Sequence, residues 1–367
     1  MASANTNAWP GVAEVLSALV KAPSISGSEE PAIKVLAEAL ASAGVNSQII
    51  GRNLVATIGS GEPVLWLVSH LDTVQPAQGY SFDPWLGSID KDGRLLGLGA
   101  NDAKASVAAM AEVLVRLKDV LLPGQGQVML VAACDEETGG EGVEMLRTSL
   151  PTPAAAIVGE PNDLVVANCC KGLVRAKISI EGIAAHASRP WQGDNAIRKI
   201  SDVLNAICIR PEFPHDDILG FPTVEPTLIS GGHQANAIAE KVEIILDCRT
   251  TPAFDNDKMV SWLHQRLEAF PYVSLTIHSE RLKASRTSAD GSLVQAALRV
   301  TSQPEPGAFP SVCDFVWLAD VDAIVMGPGQ PQRSHQADEF VLVEEVLKGV
   351  SLYERIVRRY FELPSVV

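Results

Sequence analysis

Several common features are missing from this chain of 367 residues, and each absence argues against a class of protein. Its six cysteines form no Cys-x-x-Cys pair, so neither a zinc knuckle nor a dithiol redox motif is present. No apolar run approaches the roughly 20 residues that span a membrane. The segment Met1–Asn7 lacks the basic and apolar regions of a signal peptide. A reducing cytoplasm is the simplest setting for unpaired thiols.

Positive charge and nucleotide-binding motifs are also scarce. The formal net charge of −15 argues against nucleic acid or an anionic membrane surface as a partner. The sequence contains no His-Glu-x-x-His, no Gly-x-Ser-x-Gly, no P-loop and no Gly-x-Gly-x-x-Gly. Catalysis by an activated serine and binding of a nucleotide are therefore disfavoured.

What the sequence does contain is an alternation of helical and buried-strand patterns, which is typical of an α/β fold. The predicted helices are Gly11–Lys21, Glu30–Ala43, Lys104–Leu122, Gly291–Thr301 and one from Val343, and the predicted strands are Val64–Ser69, Val128–Ala133, Ala154–Val158 and Asp322–Met326. Continuous apolar strands indicate a mixed, mainly parallel sheet with helices on both faces.

A different pattern interrupts this alternation. Apolar and polar residues alternate at Val174–Glu181, Val242–Leu246 and Val273–Ile277, with helical stretches at Asn195–Ile209 and Asp257–Phe270. Such alternation is typical of half-exposed antiparallel strands. We therefore predict an α/β domain formed by residues 1–172 and 284–367, with an α+β domain of the ferredoxin-like kind inserted at 173–283.

Side chains that can bind a metal follow four of the apolar strand patterns. His70 and Asp72 follow the first strand, Glu136 and Glu137 the second, Glu160 the third and His335 the fourth, and Asp102 precedes a long helix. Singly, each has an ordinary explanation as a helix cap, a solvated turn or a hydrogen-bonded loop residue. Because the carboxyl ends of parallel strands lie at one edge of a sheet, we expect these side chains to converge.

Converging carboxylates repel one another unless cations hold them, so this pattern predicts a metal centre. Two histidines and several carboxylates without cysteine suit Zn²⁺, Co²⁺ or Mn²⁺. The ligands outnumber those that one catalytic zinc takes, which favours two ions that share a carboxylate. A carboxylate left beside the ligands can act as a general base. The adjacent Cys169-Cys170 pair leaves a thiol enzyme as a rival hypothesis.

The ordered motifs resemble those of the M20 metallopeptidase and amidohydrolase clan. They are Ser69-His70-Leu-Asp72, Gly99-Ala-Asn-Asp102-Ala-Lys104, Asp135-Glu136-Glu137, Gly159-Glu160-Pro161 and Ser334-His335-Gln-Ala-Asp-Glu339. The resemblance extends over nearly the whole chain. It implies an enzyme with a zinc-peptidase-like catalytic domain and an inserted dimerisation domain.

Carried over position by position, the resemblance implies a role for each motif residue. The implied ligands are His70, Asp102 and Glu160 for one ion, and Asp102, Glu137 and His335 for a second. Glu136 would be the general base, and Asp72 would orient His70. One or two divalent ions per subunit, Zn²⁺ or Co²⁺, are the expected cofactors.

The resemblance also implies roles for three residues of the inserted domain. His186, in a Gly-x-x-x-His segment, would reach the site of the neighbouring subunit in a homodimer and help to polarise the scissile carbonyl. Arg249 and Asn236 match positions that bind substrate, and an arginine fork suits an α-carboxylate. From the residues alone, a plain surface histidine and a cross-strand ion pair of Arg249 remain open.

The chain looks most like the arginine-biosynthesis deacetylases of this clan, and this resemblance implies hydrolysis of the N-acetyl amide of an N-acetyl amino acid, a small-molecule substrate. N-acetyl-L-citrulline is the expected substrate, and N-acetyl-L-ornithine is the first alternative. Another aminoacylase or dipeptidase activity and a catalytically inactive amino-acid-binding relative are further alternatives.

The sequence departs from the family pattern at two places. The segment Ser311-Val-Cys-Asp-Phe differs from the Gly-Thr-Asp or Gly-Thr-Glu loop of the family, and Asp102 is followed by Ala-Lys-Ala in place of Met-Lys-Gly.

Overall fold

The computed structural model describes residues 9–208 and 213–364, and the chain divides into two units. The first unit consists of Met1–Cys169, Thr287–Phe309 and Cys313–Val367, and the second consists of Cys170–Arg286 and Pro310–Val312. The segment Met1–Asn7 and the predicted helix end at Ile209 lie outside the described residues.

The described residues form helices and strands of ordinary length. The helices are α1 (Val12–Lys21), α2 (Glu30–Ser42), α3 (Lys104–Leu117), α4 (Glu141–Ser149), α5 (Ala196–Cys208), α6 (Asn256–Leu267), α7 (Ser292–Thr301) and α8 (Val343–Tyr360). The strands are β1 (Ser47–Ile50), β2 (Asn53–Ser60), β3 (Val64–His70), β4 (Ser88–Ile89), β5 (Arg94–Leu96), β6 (Gly126–Ala133), β7 (Ala155–Val158), β8 (Ala167–Cys170), β9 (Gly172–Glu181), β10 (Thr223–Gly231), β11 (Lys241–Thr250), β12 (Val273–Leu282), β13 (Ser285–Arg286), β14 (Gly307–Phe309), β15 (Asp322–Val325) and β16 (Phe340–Leu342).

A mixed sheet with the strand order β1-β2-β6-β3-β7-β15-β8-β13 forms the core of the first unit, and β14 pairs with β8. The central strands β6, β3, β7 and β15 are parallel, and β1, β2 and β8 join them in antiparallel pairs. The mixed, mainly parallel sheet that the sequence predicts is therefore confirmed. Helices α1, α2, α3, α7 and α8 bury apolar stripes in the same core as this sheet, because their apolar residues recur at helical spacing.

The second unit contains a four-stranded antiparallel sheet with the order β10-β11-β9-β12. The apolar residues of this sheet form one core with those of α5 and α6. The chain order β9-α5-β10-β11-α6-β12 with this strand order is the ferredoxin-like arrangement. Strand β10 escapes prediction because it lies at the sheet edge and contains Pro226, beside which the register shifts.

Two predicted helices end too late. Helix α3 ends at Leu117 instead of Leu122, although Leu121 still packs into the core and so extends the apolar pattern. Helix α6 ends at Leu267 instead of Phe270 for the same reason, because Phe270 packs against the second core from outside the helix. In neither unit does a described helix have the length and hydropathy that crossing a membrane requires.

Candidate metal centre

The strand order brings the metal-binding motifs to one edge of the large sheet. His70 is the last residue of β3, and Glu160 lies two residues after β7. Glu136 begins a 3₁₀ turn, Glu136–Thr138, shortly after β6. Because β6, β3 and β7 are parallel neighbours, their carboxyl ends point the same way. Asp102 lies just before α3, and His335 follows the 3₁₀ turn Pro331–Arg333.

Asp102 lies between the two imidazole rings. Its Oδ1 atom is 3.3 Å from Nε2 of His70, and its Oδ2 atom is 3.7 Å from Nε2 of His335. The carboxylate of Glu160 is 4.0 Å from the first ring, and that of Glu137 is 3.0 Å from the second. Potential ligand atoms of His70, Asp102 and Glu137 all lie within 4.8 Å of one another. Asp102 therefore lies between a His70–Glu160 pair and a His335–Glu137 pair, a geometry that fits a carboxylate shared by two ions.

Among the described residues, neither lysine nor arginine forms an ion pair with the carboxylates of this cluster. In the described part of the chain, the ion pairs of Asp102, Glu137 and Glu160 are made with histidine alone. Lys104 lies close in sequence, but its ammonium donates to the carbonyl oxygens of Leu19 and Ala22 at 2.9 and 3.1 Å. In the described residues no lysine or arginine therefore competes with a divalent ion for these acidic groups.

A neighbouring acidic group shows the contrast. Potential ligand atoms of Glu29, Cys134 and Asp135 also lie within 4.8 Å of one another. Here the guanidinium of Arg52 forms ion pairs with both carboxylates. An arginine thus supplies the positive charge at this second group, whereas the first group fits a divalent ion.

Burial and mutual repulsion act on the carboxylates of the first group. Burial raises the pKa of Glu136 well above its usual value, and the negative charge of Glu160 adds to the effect. Burial is also the main cause of the raised pKa of Glu160. The Oε1 atom of Glu160 is buried and has no hydrogen-bond partner among the residues that the structure describes. An unpaired buried carboxylate oxygen is expected where a cation binds, because its desolvation is otherwise uncompensated.

Burial acts on the histidines in the opposite sense, whereas the neighbouring negative charges raise the pKa of the histidines as well. Burial alone would lower the pKa of His70, but hydrogen bonds to Asp102 and Asp72 and the charge of Glu160 raise it. The hydrogen bond to Glu137 is the main cause that raises the pKa of His335 to about 9. Without a metal, both imidazole rings therefore favour the protonated form. A metal ion must displace a proton from a ring in order to bind to it.

Asp72 is buried and makes more contacts than the sequence pattern indicated. Its Oδ1 atom lies 3.4 Å from Nδ1 of His70. Its two oxygens also accept the backbone N–H groups of Glu136 and Glu137, at 3.1 and 3.2 Å, and the hydroxyl of Ser26 at 2.7 Å. Asp72 thus contacts both the imidazole of His70 and the backbone of the 3₁₀ turn Glu136–Thr138.

Sequence reasoning gave no role to two buried acids near this edge. Glu339 accepts the backbone N–H groups of Asn101 and Asp102 at 2.9 and 3.0 Å, and so supports the loop that contains Asp102. Neither carboxylate oxygen of Asp314 has a hydrogen-bond partner in the described ranges, and burial raises its pKa to about 7. Glu339 could have been identified from the sequence, because it lies within the same motif as His335.

The three predicted residues of the inserted domain all lie in the second unit. His186 is exposed, and its Nδ1 accepts the backbone N–H of Ser188 at 3.1 Å, so the neutral ring carries its proton on Nε2. The side chain of Asn236 is exposed. Arg249 donates to Asp247, two residues earlier on the same strand, at 2.6 Å. The ion pair of Arg249 is therefore made within its own strand and not with a neighbouring strand, as the alternative had predicted.

The cysteines do not resemble a catalytic pair. The six cysteines form no disulfide with one another, and Cys169 and Cys170 are fully buried. A reactive thiol needs partial exposure. The structure therefore gives no support to the thiol-enzyme hypothesis.

Fold and site together define a metal-dependent hydrolase, with a cluster of histidines and carboxylates at the carboxyl edge of a largely parallel sheet. The family model described as "Peptidase family M20/M25/M40" matches residues 66–359. The chain belongs to this family and is a metal-dependent amidohydrolase.

Relatives with different names are similar to the chain along nearly its whole length. It is 29% identical to an acetylornithine deacetylase of Vibrio cholerae, over 96% of this chain and 99% of the relative. It is 26% identical to a probable succinyl-diaminopimelate desuccinylase of Staphylococcus epidermidis, over 95% and 97%.

Two solved structures share the fold. An M20 family metallo-carboxypeptidase from Sulfolobus solfataricus superimposes with a TM-score of 0.81 at 17% identity, covering 96% of this chain and 99% of that one. A dinuclear metal-binding M20 peptidase from Bacillus subtilis gives a TM-score of 0.69 at 14% identity, covering 97% and 98%.

Proposed function

We propose that the protein hydrolyses the N-acetyl amide of an N-acetyl amino acid in arginine biosynthesis, with N-acetyl-L-citrulline as its substrate. The observation that carries this proposal is the convergence of His70, Asp102 and Glu137 around one point, with Glu136 close by and outside the ligand set. The named relatives remove an acetyl or a succinyl group, which supports the cleavage of an acyl–nitrogen bond. N-acetyl-L-ornithine is the second candidate, because one of those relatives is named an acetylornithine deacetylase.

The proposed cofactors are two divalent ions, Zn²⁺ or Co²⁺. His70, Asp102 and Glu160 would hold one ion, and Asp102, Glu137 and His335 the other, and the dinuclear site of the Bacillus subtilis neighbour supports two ions. Such ions polarise a carbonyl oxygen and lower the pKa of a water molecule.

Glu136 is the proposed general base. It takes a proton from the attacking water and later delivers that proton to the leaving nitrogen. A carboxylate with a raised pKa suits both transfers, since an acid–base catalyst works best when its pKa lies near the working pH. Burial and the charge of Glu160 raise the pKa of Glu136 in this direction. The hydrogen bond from the backbone N–H of Glu136 to the Asp72 carboxylate holds the base in place.

Homodimerisation through the second unit is part of the proposal. Strand β10 lies at the edge of the antiparallel sheet, and its Leu228 and Ile229 are 67% and 60% exposed. An edge strand with exposed apolar residues is a natural site for pairing with a second copy. In that dimer, His186 would offer its Nε2 proton to the substrate carbonyl of the partner subunit's site.

Arg249 is the proposed ligand of the substrate carboxylate, and Asn236 is proposed to assist in substrate binding. Arg249 donates from Nε and one terminal nitrogen to Asp247. A guanidinium has five N–H donors, so others remain for a second carboxylate. Asp247 would then hold the arginine plane in position.

A substrate panel tests the proposed function. The purified protein, loaded with Zn²⁺ or Co²⁺, is assayed on N-acetylcitrulline, N-acetylornithine, N-acetylmethionine, N-succinyl-diaminopimelate and simple dipeptides. We expect the highest kcat/KM for N-acetylcitrulline, with the Glu136→Gln variant as the blank for contaminating activity. A higher kcat/KM for N-acetylornithine would make that compound the substrate in place of N-acetylcitrulline. Hydrolysis of dipeptides alone would overturn the deacetylase proposal.

A further inference from the structure

Arg52 lies outside the proposed ligand set, at the turn between β1 and β2. Its guanidinium forms ion pairs with two carboxylates, those of Glu29 and Asp135. The side chain of Glu29 is fully buried, that of Asp135 is 14% exposed and that of Arg52 is 35% exposed. The arginine therefore joins two acids that are largely removed from water.

Asp135 directly precedes the proposed base and has an unusual backbone. Its φ is 59°, in the left-handed region that residues with a Cβ seldom adopt. Its carbonyl accepts the N–H of Gly140 at 2.8 Å, which closes the turn that contains Glu136. A residue in this conformation stays there only when its surroundings hold it.

A second route connects the arginine to the same turn. Glu29, one partner of the arginine, accepts the N–H of Gly27 at 2.8 Å. The adjacent Ser26 donates its hydroxyl to Asp72 at 2.7 Å. Asp72 in turn accepts the N–H of Glu136 at 3.1 Å. These contacts form a closed ring that begins and ends at the turn of the proposed base.

We propose that Arg52 is a positioning residue that fixes the general base Glu136 through Asp135. This proposal rests on the proposed function. The planar guanidinium binds both carboxylates at once, which a lysine ammonium cannot do with the same geometry. Without this bridge Asp135 loses its tether, and the following residue moves relative to the metal ligands. Misplacement by about 1 Å can reduce a rate by about 10²-fold.

The test compares Arg52→Met with Arg52→Lys and with Arg116→Met. Arg116 is the matched control, because it also pairs with two acids, Glu112 and Glu354, and its side chain is 42% exposed. We expect Arg52→Met to lower kcat by about 10- to 100-fold with KM within about twofold and with bound metal unchanged. Arg52→Lys should lie between it and the wild type, and the control should keep kcat within about twofold.

Amide hydrogen exchange provides a readout that needs no substrate. Exchange in the peptide of residues 134–141 should accelerate in Arg52→Met and stay unchanged in Arg116→Met. Wild-type kcat in Arg52→Met, or equal losses in both methionine variants with unchanged exchange, would overturn the proposal. If Arg52→Met does not fold, Arg52→Lys is judged by the same two measurements. If the wild type hydrolyses nothing on the panel, the proposed function fails and the exchange comparison decides on Arg52 by itself.

Discussion

The Asp72 carboxylate accepts the backbone N–H of Glu136 at 3.1 Å. The same side chain contacts His70, so one buried acid supports both a proposed metal ligand and the proposed base. Burial alone would raise the pKa of Asp72, but its hydrogen bonds and the charge of His70 lower it. Asp72 therefore stays ionised and remains an acceptor over the whole neutral range.

Replacing Asp72 by Asn should loosen both supports. Asparagine keeps the shape but turns one acceptor oxygen into a donor, so the N–H of Glu136 or Glu137 loses its partner. We expect metal affinity or kcat to fall by about 10- to 100-fold. Asp90→Asn is the control, because that exposed carboxylate also accepts two backbone N–H groups. Metal titration and kcat check this prediction, and unchanged values in Asp72→Asn would contradict it.

Glu136→Gln should separate catalysis from metal binding. The amide has nearly the same size but accepts no proton, so kcat should fall by about 10²- to 10⁴-fold or more. Bound metal, measured by elemental analysis, should stay at the wild-type level because Glu136 is outside the ligand set. Glu38→Gln, on the exposed side of α2, should behave as the wild type. Near-normal turnover in Glu136→Gln would remove this residue from the mechanism.

Metal binding should release protons. The raised pKa of His70 and the value of about 9 for His335 mean that metal-free ligands carry protons at neutral pH. Affinity for Zn²⁺ or Co²⁺ should therefore rise with pH, by up to about tenfold per unit for each displaced proton. Calorimetry in two buffers of different ionisation enthalpy measures the released protons. Binding without proton release would show that the rings are already neutral.

The same shifts predict the stability of the metal-free protein. A histidine whose folded pKa is raised contributes stability that is complete below its unfolded pKa and is lost as pH rises through the folded value. The Tm after chelation should thus fall as pH rises from about 6.5 to about 9, the window set by His335. Activity should be absent after chelation and return with added Zn²⁺ or Co²⁺. A Tm that rises over this window would have the wrong sign.

Mixed dimers test the proposed cross-subunit role of His186. His186→Ala should lose most of its rate while remaining dimeric, because its ring reaches only the partner's site in this proposal. Mixing it with inactive Glu136→Gln should restore activity to about one quarter of the wild type. Half of randomly assorted dimers are mixed, and each holds one complete site. No recovery after subunit exchange would contradict catalysis across the interface.

Some parts of the site could be predicted because their signal is local. His70 and Glu160 each follow an apolar run, and a buried parallel strand explains both the run and the position of the polar residue after it. The end of α3 was predicted wrongly because Leu121 is buried without being helical. Hydrophobic periodicity indicates which residues are buried, and Leu121 is still buried beyond the end of the helix.

By itself, the alternation of helical and buried-strand patterns in the sequence determined the fold class, and the strand-end motifs determined the family and its dependence on metal. Only the tertiary structure decided how the two acidic groups differ. Arg52 meets Glu29 and Asp135, and so neutralises one group, whereas the group around Asp102 contains no arginine or lysine in its ion pairs among the described residues. The physical reason is that an ion pair depends on distance in space, and these partners lie far apart in the sequence.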